Sequence, residues 1–402
     1  MSDLTLDPPI RTSAKGSIKH SDLKPLRQSP HIASDRVPFT ENTGLEAHSS
    51  NDAADKPQQK LWMPKQVLIT PAALEEDYGQ ALYENLTKLG LPIKVMPSNR
   101  ITGINQKDVK KTYKTAKTTL AIVKAPPGAF KLRPIPPSAD WQFHLAEGCP
   151  GHCQYCYLAG SLSGPPIVRV FANLEAILKN TAKFETAGSV SSFEASCYTD
   201  PLSIEHLTGG LAKTIEHFGK RSNAHLRWVT KYDNVEPLLN LAHAGNTRCR
   251  ISLNVDTVAR KLEGGTASIA QRLQALRRLA LPKAQGGGAY PVGVVLAPIM
   301  QLPDWREQYT AFFDELSQTM NFDCDLTFEL ITHRFTPGSK DILLQWYPAT
   351  KLDLDETLRS EKRNKFGGKK YVFKKDLMKE MKSFFYSQIE RRFPKAEILY
   401  WT

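Results

Sequence analysis

Three cysteines crowd into one short loop of this 402-residue chain, which reads Glu147-Gly148-Cys149-Pro150-Gly151-His152-Cys153-Gln154-Tyr155-Cys156-Tyr157. Their spacing is Cys-x3-Cys-x2-Cys. Thiolates are the natural ligands of iron–sulfur clusters. Three of them on one loop can cap three irons of a cubane and leave the fourth iron open. An open iron can bind a small molecule and act on it, as an open zinc position does for water. Three other uses compete. Zinc held by the cysteines with His152 would more often show paired Cys-x2-Cys units. A simple electron carrier would show a fourth cysteine at fixed spacing, and none follows Cys156 within forty residues. A purely structural cysteine cluster is the remaining use. Six cysteines in so long a chain are no disulfide framework, and their crowding fits metal chemistry in a reducing compartment.

The elements that must position this loop read as an alternation. Strands are expected at Val67 to Thr70, Thr119 to Val123, Val190 to Ala195, Leu226 to Thr230, Cys249 to Asn254, Val292 to Ala297 and Leu326 to Ile331. Helical spacing runs over Ala73 to Leu89, Leu174 to Thr186, Ile204 to Phe218, Glu236 to Ala244, Ile269 to Leu281 and Asp376 to Phe393. Pro126, Pro127, Pro134, Pro136 and Pro137 mark a loop. Gly286-Gly287-Gly288 reads as a connector, without the spacing of a phosphate loop. Strand–helix alternation predicts an α/β fold, a mostly parallel sheet with helices outside it. The expected organisation is a disordered tail (1–60), rich in Ser, Pro, Asp, Lys and His, then a small N-terminal α/β region (61–138), a barrel-like region (139–345) and a basic C-terminal region (346–402).

A net charge of +12 favours a polyanionic partner such as DNA or RNA, and a solvated basic surface would give the same number. The C-terminal region interleaves Arg359, Lys362, Arg363, Lys365, Lys369 and Lys370 with Phe366, Tyr371 and Phe373. That mix suits phosphate contacts with base stacking, and equally a solvated hairpin. No apolar run approaches the roughly 20 residues of a membrane span, and no secretory signal opens the chain. The expected location is the cytoplasm.

The cysteine spacing, with an aromatic residue before Cys156, resembles the signature of the radical S-adenosylmethionine superfamily. Its fold is a full or partial (β/α) barrel. The wider sequence resembles the spore photoproduct lyase family from about residue 64 to the C-terminus. The blocks that carry this are Gly148 to Leu158, Phe193-Glu194-Ala195-Ser196-Cys197-Tyr198-Thr199-Asp200, Ile204 to Thr208, Val229 to Tyr232, Ala297-Pro298-Ile299, Thr327 to Thr336 and Leu352 to Thr357, in family order.

The resemblance implies a DNA-repair lyase acting on 5-thyminyl-5,6-dihydrothymine, two thymines joined by a methylene bridge. It implies a [4Fe–4S] cluster on Cys149, Cys153 and Cys156, S-adenosylmethionine as cofactor, and an external electron donor of flavodoxin or ferredoxin type. Cys197 matches the family's hydrogen-donor cysteine, although a lone cysteine at a strand end is more often a small buried residue. Tyr155 and Tyr157 match tyrosines beside the cluster, with Tyr157 as the radical relay; packing around a loop is the commoner use of Tyr. Lys231, at a predicted strand end where barrel enzymes place site residues, matches a cofactor-holding lysine. Thr199, Ser252 and Ala297 match further cofactor-facing positions. Cys249 and Cys324 match no role.

The sequence departs from the family in three places. The N-terminal tail goes beyond the family's short one. Tyr198-Thr199-Asp200 stands where the family has Thr-Ser-Asp. Lys365-Phe366-Gly367 aligns with a lesion-contacting Arg-Tyr-Gly; Lys keeps the charge without the planar fork, and Phe keeps stacking without the hydroxyl. A radical enzyme of the same family acting on another lesion or substrate is therefore one alternative, and a zinc-containing nucleic-acid-binding protein another.

Overall fold

A computed structural model describes residues 61–162, 164–363 and 368–402. The expected tail at 1–60, and Lys365 and Phe366, lie outside the described residues.

Strands β1 (Gln66–Ile69), β2 (Ile93–Val95) and β3 (Thr119–Val123) open the fold. Then come β4 (Arg133–Ile135), β5 (Ala139–Phe143), β6 (Ala146–Glu147), β7 (His152–Cys153) and β8 (Val168–Phe171). The second half supplies β9 (Ser191–Ala195), β10 (Ala224–Thr230), β11 (Thr247–Leu253), β12 (Glu263–Gly264), β13 (Val292–Ile299) and β14 (Leu326–Thr332). A hairpin of β15 (Arg359–Arg363) and β16 (Lys369–Phe373), then β17 (Glu397–Trp401), complete the chain.

Two sheets organise these strands. The smaller runs β2-β1-β3-β8-β6 and the larger β17-β14-β13-β11-β10-β9-β5-β4. From β5 to β17 every pairing in the larger sheet is parallel, and it curls into the expected partial (β/α) barrel. Parallel strands covered on both faces read as near-continuous apolar runs, and β13, Val-Gly-Val-Val-Leu-Ala-Pro-Ile, is such a run. The helix Ile269–Ala280 shows how the outer layer docks. Ser268 and Gln271 form a capping box at its start, and Ile269, Leu273, Leu276 and Leu279 are buried against the sheet. The smaller sheet draws β6 and β8 from beyond residue 139, while β4 of the larger sheet precedes it, so the two sheets interlace along the chain.

Some expectations need correction. Glu236 to Ala244 forms only a 3-10 turn, Glu236–Leu238, followed by further turns. Pro237 sits in that first turn, and the amides of Leu238, Leu239 and Leu241 bond three residues back, so no α-helical ladder starts. Ile204 to Phe218 is two helices, Glu205–Thr208 and Gly210–Gly219, divided at the left-handed Gly209. The proline loop contains β4, where Pro134 is tolerated because the strand lies at the sheet's antiparallel edge. Gly286-Gly287-Gly288 is a hydrogen-bonded turn, its amides reaching Lys283, Pro282 and Arg278 carbonyls.

Among the described residues no helix is long and apolar enough to cross a membrane.

Candidate active site

The cysteine loop leaves β6 through Gly148, whose φ of +76° is left-handed; a Cβ there would lie 2.1 Å from the Ile167 carbonyl oxygen. Only glycine meets both demands. The loop then forms β7, which pairs antiparallel with β12, setting Cys153 opposite Glu263 and His152 opposite Gly264. Gln154 N donates to the Leu262 carbonyl at 2.8 Å. From below, the helix Val109–Lys117 supports the loop. Lys117 donates to the carbonyls of Cys149 and Gly151, and Tyr113 Oη lies 2.9 Å from His152 Nδ1. His152 is thus engaged away from the cysteines. Burial, then Lys117, pushes its imidazole down to about 4.

The donor set and its surroundings fit a cluster. Burial pushes Cys149 up to about 12, and Cys153 and Cys156 also upward. Thiols held that high ionise when a metal supplies the countercharge. Gly151 N lies 3.4 Å from Cys149 Sγ, and a Cβ at Gly151 would sit 3.4 Å from Tyr232 Oη and 3.5 Å from that sulfur. Tyr232 Oη is buried without a partner, as is Thr199 Oγ1. Buried hydroxyls of this kind are normally satisfied, and a bound group is what would satisfy them.

Four of the expected cofactor residues meet around one ammonium. Lys231, just past the end of β10, donates to Ser252 Oγ at 2.7 Å, Glu263 Oε1 at 3.2 Å and the Ala297 carbonyl at 3.3 Å. Its Nζ also stands 5.5 Å from the centre of the Tyr155 ring. Tyr155 Oη donates to Glu263, and Arg272 Nη2 pairs with Glu263 Oε2 at 2.6 Å. Burial works against ionising Glu263, yet Lys231 and Arg272 outweigh it and hold the carboxyl down at about 2. Glu263 and Arg272 escaped the sequence reading, because nothing in spacing announces a residue more than a hundred positions from the loop it supports.

The turn after β9 carries the second group. Ser196 is left-handed at φ 60°, a conformation costly for a residue other than glycine and common at functional sites. Its amide donates to the Phe143 carbonyl at 2.7 Å, and its Oγ accepts from Leu145 N at 3.1 Å. The turn presents Cys197, and Tyr157 Oη donates to the Cys197 carbonyl, which brings these two expected residues together. Burial, then Glu194, pushes the Cys197 thiol upward, so it stays protonated. Glu194 itself is locked into a buried network with Arg250, Glu329 and Arg227 across the sheet. Tyr198 stacks on His144, with ring centres 4.7 Å apart. Asp200 ties this turn to β10, accepting from Thr230 Oγ1 and Lys231 N, each at 2.7 Å; burial dominates and pushes its carboxyl up to about 6. Of the two unmatched cysteines, Cys249 is buried and Cys324 partly so.

The hairpin continues from the barrel through Arg359, which stacks over Phe373 at 4.1 Å and pairs with Asp353 at 3.0 Å. Its outer register sets Lys362 opposite Lys370 and Arg363 opposite Lys369. Like charges directly opposite destabilise a hairpin; Lys369 is offset by Glu361 at 3.0 Å, while the Lys362–Lys370 pair is not explained by folding.

The chain also resembles known proteins. A family profile described as Spore photoproduct lyase matches residues 62–402. Spore photoproduct lyase from a Geobacillus species is 40% identical over 349 residues, covering 85% of this chain and all of the relative. The Bacillus subtilis protein of that name is 38% identical, covering 86% of this chain and all of the relative. Solved structures include spore photoproduct lyase complexed with dinucleoside spore photoproduct, and a mutant with bound S-adenosylmethionine and the same lesion. Each is 39% identical, has a TM-score of 0.80, and matches 85% of this chain over its own full length. On this evidence the chain belongs to the spore photoproduct lyase family.

Proposed function

We propose that this protein repairs spore photoproduct in DNA, returning 5-thyminyl-5,6-dihydrothymine to two thymines by radical chemistry. The observation that carries the reading is the convergence of Tyr155, Ser252, Ala297 and Glu263 on Lys231, beside a three-cysteine loop and within one barrel mouth with Tyr157 and Cys197. Cys149, Cys153 and Cys156 would hold a [4Fe–4S] cluster, and Lys231, Ser252, Ala297, Tyr155 and Thr199 would surround S-adenosylmethionine. When bound, the cluster and S-adenosylmethionine would together supply, with one electron from a flavodoxin- or ferredoxin-type donor, the 5′-deoxyadenosyl radical chemistry that takes a hydrogen atom from the lesion.

The remaining work belongs to the chain. Once the bridging carbon–carbon bond has broken, one thymine is complete and the other is a carbon radical one hydrogen atom short. Cys197 donates that atom from its S–H, which burial keeps protonated. A thiol hydrogen is weakly enough bound to be taken by a carbon radical, and the sulfur is left as a thiyl. Tyr157, already held against the Cys197 carbonyl, is placed to return a hydrogen atom to that sulfur from its O–H, and the tyrosyl radical left behind would regain a hydrogen atom from the methyl group of 5′-deoxyadenosine. Tyr157 is 60% exposed, so it borders the space where a dinucleotide would enter.

The hairpin supports a DNA substrate. Its opposed cations Lys362 and Lys370 carry a repulsion that phosphates would relieve. A lesion must leave the base stack to reach a site inside a barrel mouth, and damaged steps unstack more easily. Lys365 and Phe366 are assigned to lesion contact by the family resemblance.

The test is anaerobic reconstitution with iron and sulfide, then incubation of reduced protein with S-adenosylmethionine and synthetic dinucleoside lesion. Thymine is the expected product. Deoxyadenosine without thymine would redirect the search to another lesion, with Lys365, Phe366 and Tyr198 as the first positions to change. Colourless protein with one zinc per chain would overturn the reading.

A further inference from the structure

The helix Val109–Lys117 and the residues before it carry five lysines. Lys107, Lys110, Lys111 and Lys114 are exposed, while Lys117 is 6% exposed. Its ammonium donates to the Cys149 and Gly151 carbonyls and lies 5.8 Å from the centre of the Tyr113 ring. Lysine ion pairs among the described residues belong to Lys124, Lys231, Lys340, Lys369 and Lys395. Lys117 therefore sits buried with dipoles and a ring face around it but no carboxylate. Burying an unpaired ammonium is unfavourable by several kcal/mol, and two carbonyls offset only part of that. What it does hold is the backbone of the cysteine loop, at the carbonyls of Cys149 and Gly151.

We propose that Lys117 is the built-in countercharge of the cysteine loop, a positioning residue that both clamps the loop backbone and favours the reduced, more negative state of the cluster. The proposal rests on the cluster reading given above. Ionised cysteines and a cluster that gains one electron supply the negative charge that Lys117 otherwise lacks. At an effective dielectric near 20, a unit charge within about 10 Å of an added electron alters a reduction equilibrium by roughly tenfold or more. Reduction of the cluster is the step an external donor must drive, so a fixed cation here lowers the demand on that donor.

The experiment compares wild type, Lys117→Gln and Lys117→Arg as full-length reconstituted proteins. It reads iron content and the midpoint potential of the cluster by electron paramagnetic resonance during a redox titration. Lys117→Gln is expected to disfavour reduction by tenfold or more, about 59 mV for one electron, while Lys117→Arg stays within tenfold of wild type. A Gln variant with full iron and an unmoved potential overturns the proposal and leaves the function intact. Should Lys117→Gln take up no iron, the Arg variant decides: full iron with a potential displaced beyond tenfold overturns it, and a retained potential supports it. A wild-type protein without any iron–sulfur signal would remove the function and this inference together.

Discussion

Replacing Glu263 by Gln should separate the electrostatics of the site from its shape. The carboxylate is buried between Lys231 at 3.2 Å and Arg272 at 2.6 Å, and Gln keeps the volume while leaving both cations without their partner. Its carboxyl is held at about 2 against an ordinary 4.5. At 1.36 kcal/mol per pH unit that difference corresponds to about 3 kcal/mol of folding stability at pH 7. Removing one partner of a buried pair costs about 3–5 kcal/mol in general, so two independent arguments agree. The sign follows from the depressed value: the contribution is complete above about 4.5 and is lost as pH falls toward about 2. Anaerobic urea unfolding of apo wild type and Glu263→Gln should thus give a gap of about 3 kcal/mol, constant from pH 8 to 5.5. The gap should narrow to about 2 kcal/mol by pH 3.5. A gap below about 1 kcal/mol at pH 7, or one that does not narrow in acid, would refute the claim that Glu263 is an ionised anchor for Lys231 and Arg272.

Other outcomes follow from the same geometry. Cys197→Ala should keep its iron–sulfur spectrum and cleave S-adenosylmethionine, yet yield misquenched lesion products; clean thymine at the wild-type rate would remove Cys197 from the mechanism. Gly148→Ala forces a side chain against the Ile167 carbonyl in a left-handed conformation. It should lower stability by about 2 kcal/mol or more and reduce iron uptake, both measurable on the purified protein. Lys362→Ala with Lys370→Ala relieves a like-charge pair, so melting temperature should hold or rise. Affinity for lesion-bearing duplex should fall with a shallower salt dependence, by about one unit of slope per lost phosphate contact, while turnover of the dinucleoside stays unchanged.

The fold was largely legible because parallel strands buried on both faces leave unbroken apolar runs; β3, β11, β13 and β14 all read directly. What escaped was written in weaker code. β5 alternates apolar and polar residues over only five positions, Ala-Asp-Trp-Gln-Phe, and Pro134 hid β4. The Glu236 to Ala244 segment has helical spacing of leucines, but one proline at its start and a return to the sheet after a few turns override propensity. At the site, Tyr155, Ser252 and Ala297 gather around Lys231 and Tyr157 meets Cys197, while Lys365 and Phe366 lie outside the described residues. Glu263, Arg272 and Lys117 were invisible, and Tyr232 appeared only as part of a matched block with no role. Their roles depend on contacts with a loop far away in sequence, and each alone reads as an ordinary charged or aromatic residue.

The charge inventory around the loop unifies these pieces. Lys117, Lys231 and Arg272 bring three fixed cations to the cysteines and the neighbouring strand ends, against the ionised Glu263 and an Asp200 whose carboxyl burial holds at about 6. The thiols themselves are driven toward neutrality by burial. Left alone, this arrangement gathers positive charge in a low-dielectric mouth, which folding by itself gives no reason to select. An anionic cluster and a ligand bearing a carboxylate would neutralise it, and would give the unpartnered Tyr232 and Thr199 hydroxyls something to bind. Cys197 stands apart from this group: its nearest charges are the carboxylate Glu194 and the Arg250 that neutralises it. The mouth is therefore divided, with a cationic side suited to hold anions and a side with its charges internally balanced, where, in the proposed reaction, a thiol would keep its hydrogen until a carbon radical takes it.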